Sequence, residues 1–155
     1  LSVKFDEIAN FRTKNNLPDY MQNNGATGTI AKLEVGKKDV YGANSGLTQV
    51  YTLTKQERRD WFDKLLKKGK LKDKSGNDLP HLGFAQFLSH AETEALIKAS
   101  KIKKKLPKKM TMYVDRVTCN NCKTYMGAIL TELNVKELTI YWKNASNAPY
   151  IIKAQ

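Results

Sequence analysis

Apolar residues along this chain follow two spacings, and each spacing predicts a kind of element. Phe5, Ile8, Ala9 and Arg12 recur at helical intervals within Ser2 to Asn16, which predicts a first helix. It must stop before Leu17-Pro18, because the residue before a proline disfavours the helical region. Ala31, Leu33 and Val35 alternate within Thr29 to Val35, as a half-buried strand requires. Gly36-Lys37-Lys38-Asp39 then turns the chain into a second strand, Val40 to Ala43, giving a hairpin. Thr54 and Glu57 form a capping-box pattern ahead of Trp61, Phe62, Leu65 and Leu66, so a helix runs to about Lys68. Phe84 to Leu88 leads into a further helix, with Ala91, Ala95, Leu96, Ala99 and Ile102 at helical spacing. Met110 to Asp115 reads as a strand. Met126, Ile129, Leu130 and Leu133 mark one face of the next helix. Leu138 to Trp142 and Tyr150 to Lys153 close the chain as strands.

Turn residues separate these elements at Asn23 to Gly28, Asn44-Ser45-Gly46, Gly69 to Pro80 and Asn144 to Pro149. The resulting order, α-β-β-α-α-β-α-β-β, predicts an α/β fold: a three-layer α/β/α sandwich around a mixed sheet of five strands. The last connection, Lys143 to Pro149, is too short for a parallel crossover. The final two strands are therefore expected to form an antiparallel hairpin. At 155 residues the chain fits a single domain, residues 1–155, with a proper core.

Composition adds a partner and a compartment. The net charge is +12 with two cysteines in the whole chain. A strongly basic surface favours a polyanionic partner. Two cysteines make no disulfide scaffold, and both lie in one short motif, where they need a reducing place to work. No apolar run approaches membrane-spanning length, so no membrane partner is expected. A chain starting at Leu1 suggests the C-terminal fragment of a longer secreted protein.

The candidate chemistry lies between Ser89 and Cys122. His90-Ala91-Glu92 is followed, after strand-like residues, by Cys119-Asn120-Asn121-Cys122. His-x-Glu and then Cys-x-x-Cys is the pattern of zinc-dependent nucleobase deaminases. In that chemistry one His and two thiolates hold zinc, and water takes the fourth position with its pKa lowered toward neutrality. The Glu shuttles protons and is not a ligand. Cys119 and Cys122, three apart, share one side of a helix start, with Thr118 as the expected N-cap. Other readings stay open at this point. Ser89 and Glu92 also fit a capping box. Cys-x-x-Cys alone could be a redox pair, which leaves His90 unexplained. It could also be half of a closed structural site, for which His81 is the one further His or Cys.

Both motifs and the element order resemble the cytidine-deaminase-like fold. Met112 to Cys122, followed by Val135-Lys136-Glu137-Leu138-Thr139-Ile140, is similar to deaminase domains of bacterial polymorphic toxins, including the double-stranded-DNA cytosine deaminase toxins. The likeness is specific over Ser89 to Tyr141 and loose before it. Thr118 stands where many members have proline. The resemblance implies His90, Cys119 and Cys122 as ligands of one Zn2+ per chain and Glu92 as the acid/base. It implies that the Ala91 N–H holds the pyrimidine carbonyl and that the Thr118 carbonyl accepts from the departing amino group. Asn44, at the end of a segment resembling the family's second strand, would contact the sugar; as Asn-Ser-Gly it is equally a plain turn residue.

Charge then sharpens the substrate. Lys55 to Lys109 holds 16 Lys and Arg against 7 Asp and Glu. Lys64 to Lys74 and Lys98 to Lys109 flank the His90 motif. Lys101, Lys103, Lys104 and Lys105 are the expected nucleic-acid-binding residues, against the alternative of a solvated face. Phe84, Phe87, Tyr125 and Trp142 are either core aromatics or stacking residues for an unstacked base. The expected function is deamination of cytosine to uracil in single- or double-stranded DNA by an interbacterial toxin. The alternatives are RNA or adenine as target, or a non-catalytic zinc-stabilised binding module. A secreted effector acting as a monomer in the cytoplasm of a target cell, and an acidic immunity protein in the producer, complete the expectation.

Overall fold

A computed structural model describes residues 1–21, 24–143 and 148–155. Helix α1 spans Ser2–Lys14, and a hairpin of β1 (Ile30–Val35) and β2 (Lys38–Ala43) follows. Helices α2 (Lys55–Lys67) and α3 (Ala91–Ile102) precede strand β3 (Lys109–Val114). Helix α4 (Asn120–Glu132), β4 (Glu137–Trp142) and β5 (Tyr150–Lys153) complete the domain. The sheet order is β2-β1-β3-β4-β5. Among the described strands only β3 and β4 are parallel, joined through α4; β4 and β5 form the expected antiparallel pair. The connecting turn expected at Asn144 to Pro149, like the first residue of the Asn23 loop, lies partly outside the described residues.

Alternation along the strands builds two cores, one on each face of the sheet. Ala31, Leu33, Val40, Met110, Met112, Val114, Leu138 and Ile140 face α3 and α4, where Phe62 and Leu65 of α2 join the same cluster. Ile30, Ala43 and Tyr113 point the other way and meet Ile8 of α1. One helix therefore covers one face and three cover the other, giving the three layers. Burying each large aliphatic side chain contributes about 1.5–3 kcal/mol, so the larger cluster dominates.

Several boundaries differ from the expectation for visible reasons. Strand β2 begins at Lys38, because Val35 pairs with Lys38 and leaves Gly36-Lys37 as a two-residue turn with Gly36 at φ +62°. That conformation suits glycine, which has no Cβ to clash. Ile102 is 51% exposed, so the apolar stripe of α3 ends at Ala99. The segment before α3 is two 3-10 turns, Leu82–Phe84 and Gln86–Ser89.

The approach of α3 to the sheet positions the functional residues at its start. A Cβ on Gly42 would lie 2.2 Å from the Ala91 carbonyl oxygen and 2.5 Å from the Ala95 nitrogen. Glycine there lets the first turn of α3 rest directly on β2.

Candidate active site

Two helix starts and the end of one strand meet at a small cavity. Helix α3 begins with His90 as its N-cap. Helix α4 begins with Cys119 as its N-cap, whose Sγ accepts from the Cys122 N–H at 3.4 Å. Thr118 is therefore not the cap. It is buried one residue earlier, and its hydroxyl accepts from the Trp142 indole N–H at 2.8 Å. The capping-box reading of Ser89 and Glu92 also fails. The Ser89 hydroxyl donates to the Gln86 carbonyl, and α3 has no side-chain cap.

His90 Nδ1 lies 3.2 Å from Cys119 Sγ and 3.2 Å from Cys122 Sγ. All three donor atoms fall within 4.8 Å of one another. A tetrahedral zinc, with bonds of about 2.0–2.1 Å to nitrogen and about 2.3 Å to sulfur, spaces its ligands at about 3.5–3.8 Å. One imidazole and two sulfurs at this separation fit zinc as a donor set, with three protein ligands and not four. His81 stands apart: its Nδ1 accepts from the Gly83 N–H, and its ring packs against Phe84. The closed four-ligand site has no support from that histidine.

Without metal, the three groups polarise one another. The hydrogen bond from the Cys122 thiol, with help from His90, brings Cys119 down to about 4. Cys122, donor of that bond and buried, is pushed up. The bond to Cys119 raises His90 against the effect of burial. Thiol and imidazole groups bind a metal in their deprotonated forms, so an ion entering this cluster would displace its protons.

Glu92 is 3% exposed and lines the same cavity. Burial pushes its carboxyl up, while its own backbone N–H and the Thr118 hydroxyl pull it back. A carboxyl that burial makes a weaker acid holds its proton more readily, as a group that must both take and give one requires. The cavity measures about 170 Å³ and is lined by Thr29, Asn44, His90, Ala91, Glu92, Arg116, Val117 and Cys119. Drug-sized pockets hold about 300–1,000 Å³, so this one suits a single ring.

Asn44 is in place. Its Oδ1 accepts from the Thr29 N–H at 2.8 Å, and the neighbouring Ser45 N–H donates to the Ser89 carbonyl at 2.9 Å. The Asn-Ser-Gly turn is thereby tied to the His90 motif. Ala91 is the first residue of α3, so its N–H has no intrahelical partner, and the residue lines the cavity. Thr118 stands behind the wall, between Val117 and Cys119. Lys101, Lys103, Lys104 and Lys105 are exposed at the opposite end of α3, whose 12 residues span about 18 Å. Phe87 and Tyr125 pack against each other in the core, and Trp142 stacks on Tyr150.

Residues that the sequence reading did not single out also build the site. Arg116 and Val117 form part of its wall, directly before the cysteine motif. Glu94 is buried and accepts from the Ala43 N–H at 2.7 Å and from the Thr52 backbone and hydroxyl. It fixes the end of β2, and hence Asn44, to α3. A carboxylate within an otherwise apolar helix face was its signal. Asp115, the residue before Arg116, is held by Arg12 of α1.

The family model for MafB19-like deaminases matches residues 6–152. The chain belongs to the MafB19-like deaminase family. No curated protein and no solved structure matches it. The match spans α1 as well as the motif half, so the first helix and hairpin are part of the deaminase domain. This MafB19-like deaminase carries the α/β fold with its His, Glu and Cys motifs around one small cavity.

Proposed function

We propose that the protein is a zinc-dependent deaminase that converts cytosine to uracil in DNA. The observation that carries the reading is the shared cavity: the buried Glu92 carboxyl opens onto the same space as His90 and Cys119. His90 Nδ1 and the sulfurs of Cys119 and Cys122 would hold the ion. Bound there, zinc supplies a Lewis acid that makes water nucleophilic near neutral pH. Glu92 would carry both protons of the attacking water in turn, the first to the ring nitrogen N3 and the second, from the hydroxyl added at C4, to the departing amine. Cytosine and water become uracil and ammonia. The Ala91 N–H holds the pyrimidine carbonyl, the Thr118 carbonyl receives the amino group, and Asn44 Nδ2 donates to the sugar.

The cavity admits one base, so a strand must present an unstacked or extruded nucleotide. The charge of +12 favours a polymer over free nucleotides. Lys101, Lys103, Lys104 and Lys105 add to this attraction from the far end of α3. Within this reading the domain is a toxin, released by its producer and acting in the cytoplasm of a target cell. An acidic immunity protein protects the producer by covering the basic surface, which suits it electrostatically. Among the described residues no helix is long and apolar enough to cross a membrane.

Sequencing DNA and RNA from cells that express the domain tests the substrate. C-to-T changes in DNA are expected. Changes confined to RNA, changes at adenine, or none in either would overturn the assignment. A pull-down from the producer tests the partner: an acidic protein that blocks activity is expected, and the toxin reading falls if no inhibitor is found.

A further inference from the structure

A second concavity, beside the chain segment that leads into α3, carries a row of basic side chains. It holds about 570 Å³ and is lined by Lys55, Arg58, Arg59, His81, Gln86 and Ser89, among others, with no carboxylate in its wall. Ser89 lines this groove and His90, the next residue, lines the catalytic cavity. Consecutive residues at the start of α3 thus serve the two spaces.

The groove's cations are available and partly pre-set. Lys55 and Arg59 are exposed, and neither forms an ion pair with another described residue. Arg58 is fixed: its Nη1 donates to the Tyr51 hydroxyl and the Leu53 carbonyl, both at 3.1 Å. Its guanidinium also lies over the Tyr51 ring, and its other nitrogens make no hydrogen bond to another described residue, which leaves donors in a held orientation for phosphate. His81 accepts from Gly83 at Nδ1, which leaves Nε2–H as a donor. Phe84 stands 52% exposed beside the groove. Its backbone is tied to the cysteine helix, because Asn121 donates to the Phe84 carbonyl and accepts from the Phe87 N–H. An aromatic face next to a row of cations is how single-stranded nucleic acid is gripped without sequence preference.

We propose that the groove of Lys55, Arg58, Arg59 and His81 binds the phosphodiester backbone of the strand whose base enters the catalytic cavity, with Phe84 stacking on a neighbouring base. The inference rests on the nucleic-acid reading above, but it assigns the contact to a surface that the lysine-rich end of α3 does not share. Arg116, in the cavity wall, then meets the same strand beside the entering nucleotide.

The test is equilibrium binding of fluorescently labelled single-stranded DNA and RNA oligonucleotides over a series of salt concentrations. It compares the parent with a Lys55→Gln/Arg59→Gln variant, leaving Arg58 to hold Tyr51 and Leu53. A Lys14→Gln/Lys153→Gln variant removes the same charge from exposed positions elsewhere. The groove variant is expected to bind on the order of tenfold more weakly, with a log–log salt slope shallower by about 0.7 for each phosphate no longer neutralised. Phe84→Ala should weaken binding at unchanged slope, because stacking releases no counterion. Equal effects of the groove and reference variants, or no effect of either, would overturn the assignment. So would a parent that binds neither oligonucleotide. The measurement needs no turnover, so a deaminase acting on another base would leave this result standing, and a groove without effect would leave the deamination assay standing.

Discussion

Arg12 and Asp115 form a buried two-pronged pair across the sheet: Nε and Nη2 donate to Oδ2 at 2.9 and 2.8 Å. Asp115 Oδ1 accepts from the Ile30 N–H, and Arg12 also donates to the carbonyls of Pro18, Thr27 and Gly28. Asp115 directly precedes Arg116 and Val117 in the cavity wall, so helix α1 anchors the loop that carries Cys119. Burial pushes the Asp115 carboxyl above its ordinary 3.8, and the Arg12 guanidinium pulls it back. Burial winning means that the pair is a positional device more than a net source of stability.

Removing one partner should therefore be costly. Arg12→Met leaves a buried carboxylate unpaired, and a destabilisation of about 3–5 kcal/mol is expected in urea unfolding at neutral pH. The sign of its pH dependence follows from the raised carboxyl. Without Arg12, the folded state binds the Asp115 proton more tightly still than the unfolded state does. The variant's stability then falls as pH rises from about 3.8 through the folded-state value. The destabilisation relative to the parent should shrink in acid, where Asp115 is protonated in both states. A pH-independent effect would mean that the arginine acts by packing alone.

Metal content is the next expectation. One zinc per chain should bind, and Cys119→Ala should lose both metal and thermal stability, since binding free energy is folding free energy at such sites. His81→Ala should keep the zinc, because that histidine lies in the groove with its Nδ1 on Gly83. Elemental analysis and melting with and without chelator would check both. A zinc-free native protein would refute the three-ligand site.

Glu92→Gln should abolish turnover and retain zinc. The Ser89 hydroxyl is turned to Gln86, so no capping box exists for the substitution to break. A stability change well below the about 0.5–2 kcal/mol typical of a missing cap is expected. Activity in this variant close to that of the parent would remove Glu92 from the proton path.

Gly42→Ala should disturb the site from outside it. The added methyl would meet the Ala91 carbonyl at 2.2 Å, and backbone cannot yield as a flexible side chain does. Overpacking of this kind costs about 1–3 kcal/mol. Because the clash falls on the first turn of α3, activity should fall further than stability alone explains. Circular dichroism melts alongside turnover would separate the two.

How much of this could be read from the sequence depends on the range of the interaction. Period and turn chemistry are local, so the order of elements and the β4–β5 hairpin were legible. His90, Glu92 and the cysteines could be picked out by their spacing, and the fold gathers His90 with the two sulfurs and brings Glu92 to the same cavity. Thr118 was misplaced as a cap because a cysteine sulfur, one position later, took the role. Arg12 sat visibly on an apolar helix face, yet its partner Asp115 lies 103 residues away. Nothing local announces such a pair. Charge density pointed to the lysines after α3 but carried no direction, and only the fold places them at the far end of that helix.

Those lysines yield the last expectation. Lys101 is paired with Glu57, while Lys103, Lys104 and Lys105 are exposed and form no ion pair with another described residue. Since α3 holds them about 18 Å from His90, they act on a polyanion through long-range attraction and added phosphate contacts, not through the entering base. Neutralising all four should weaken binding of long DNA and flatten its salt dependence, by about 0.9 in slope for each duplex phosphate no longer neutralised, or about 0.7 for a single strand. Lys101 meets Glu57 in the first turn of α2, next to the groove's Lys55 and Arg58, so only oligonucleotides too short to pass from the cavity to that turn should bind with little change. Zinc content and melting temperature should stay near those of the parent, because the one ion pair broken, with Glu57, is at the surface and such pairs contribute roughly 0–1 kcal/mol. Titrations with long and short DNA at several salt concentrations decide the matter. If the fourfold variant binds long DNA with the affinity and slope of the parent, the lysines are a solvated face.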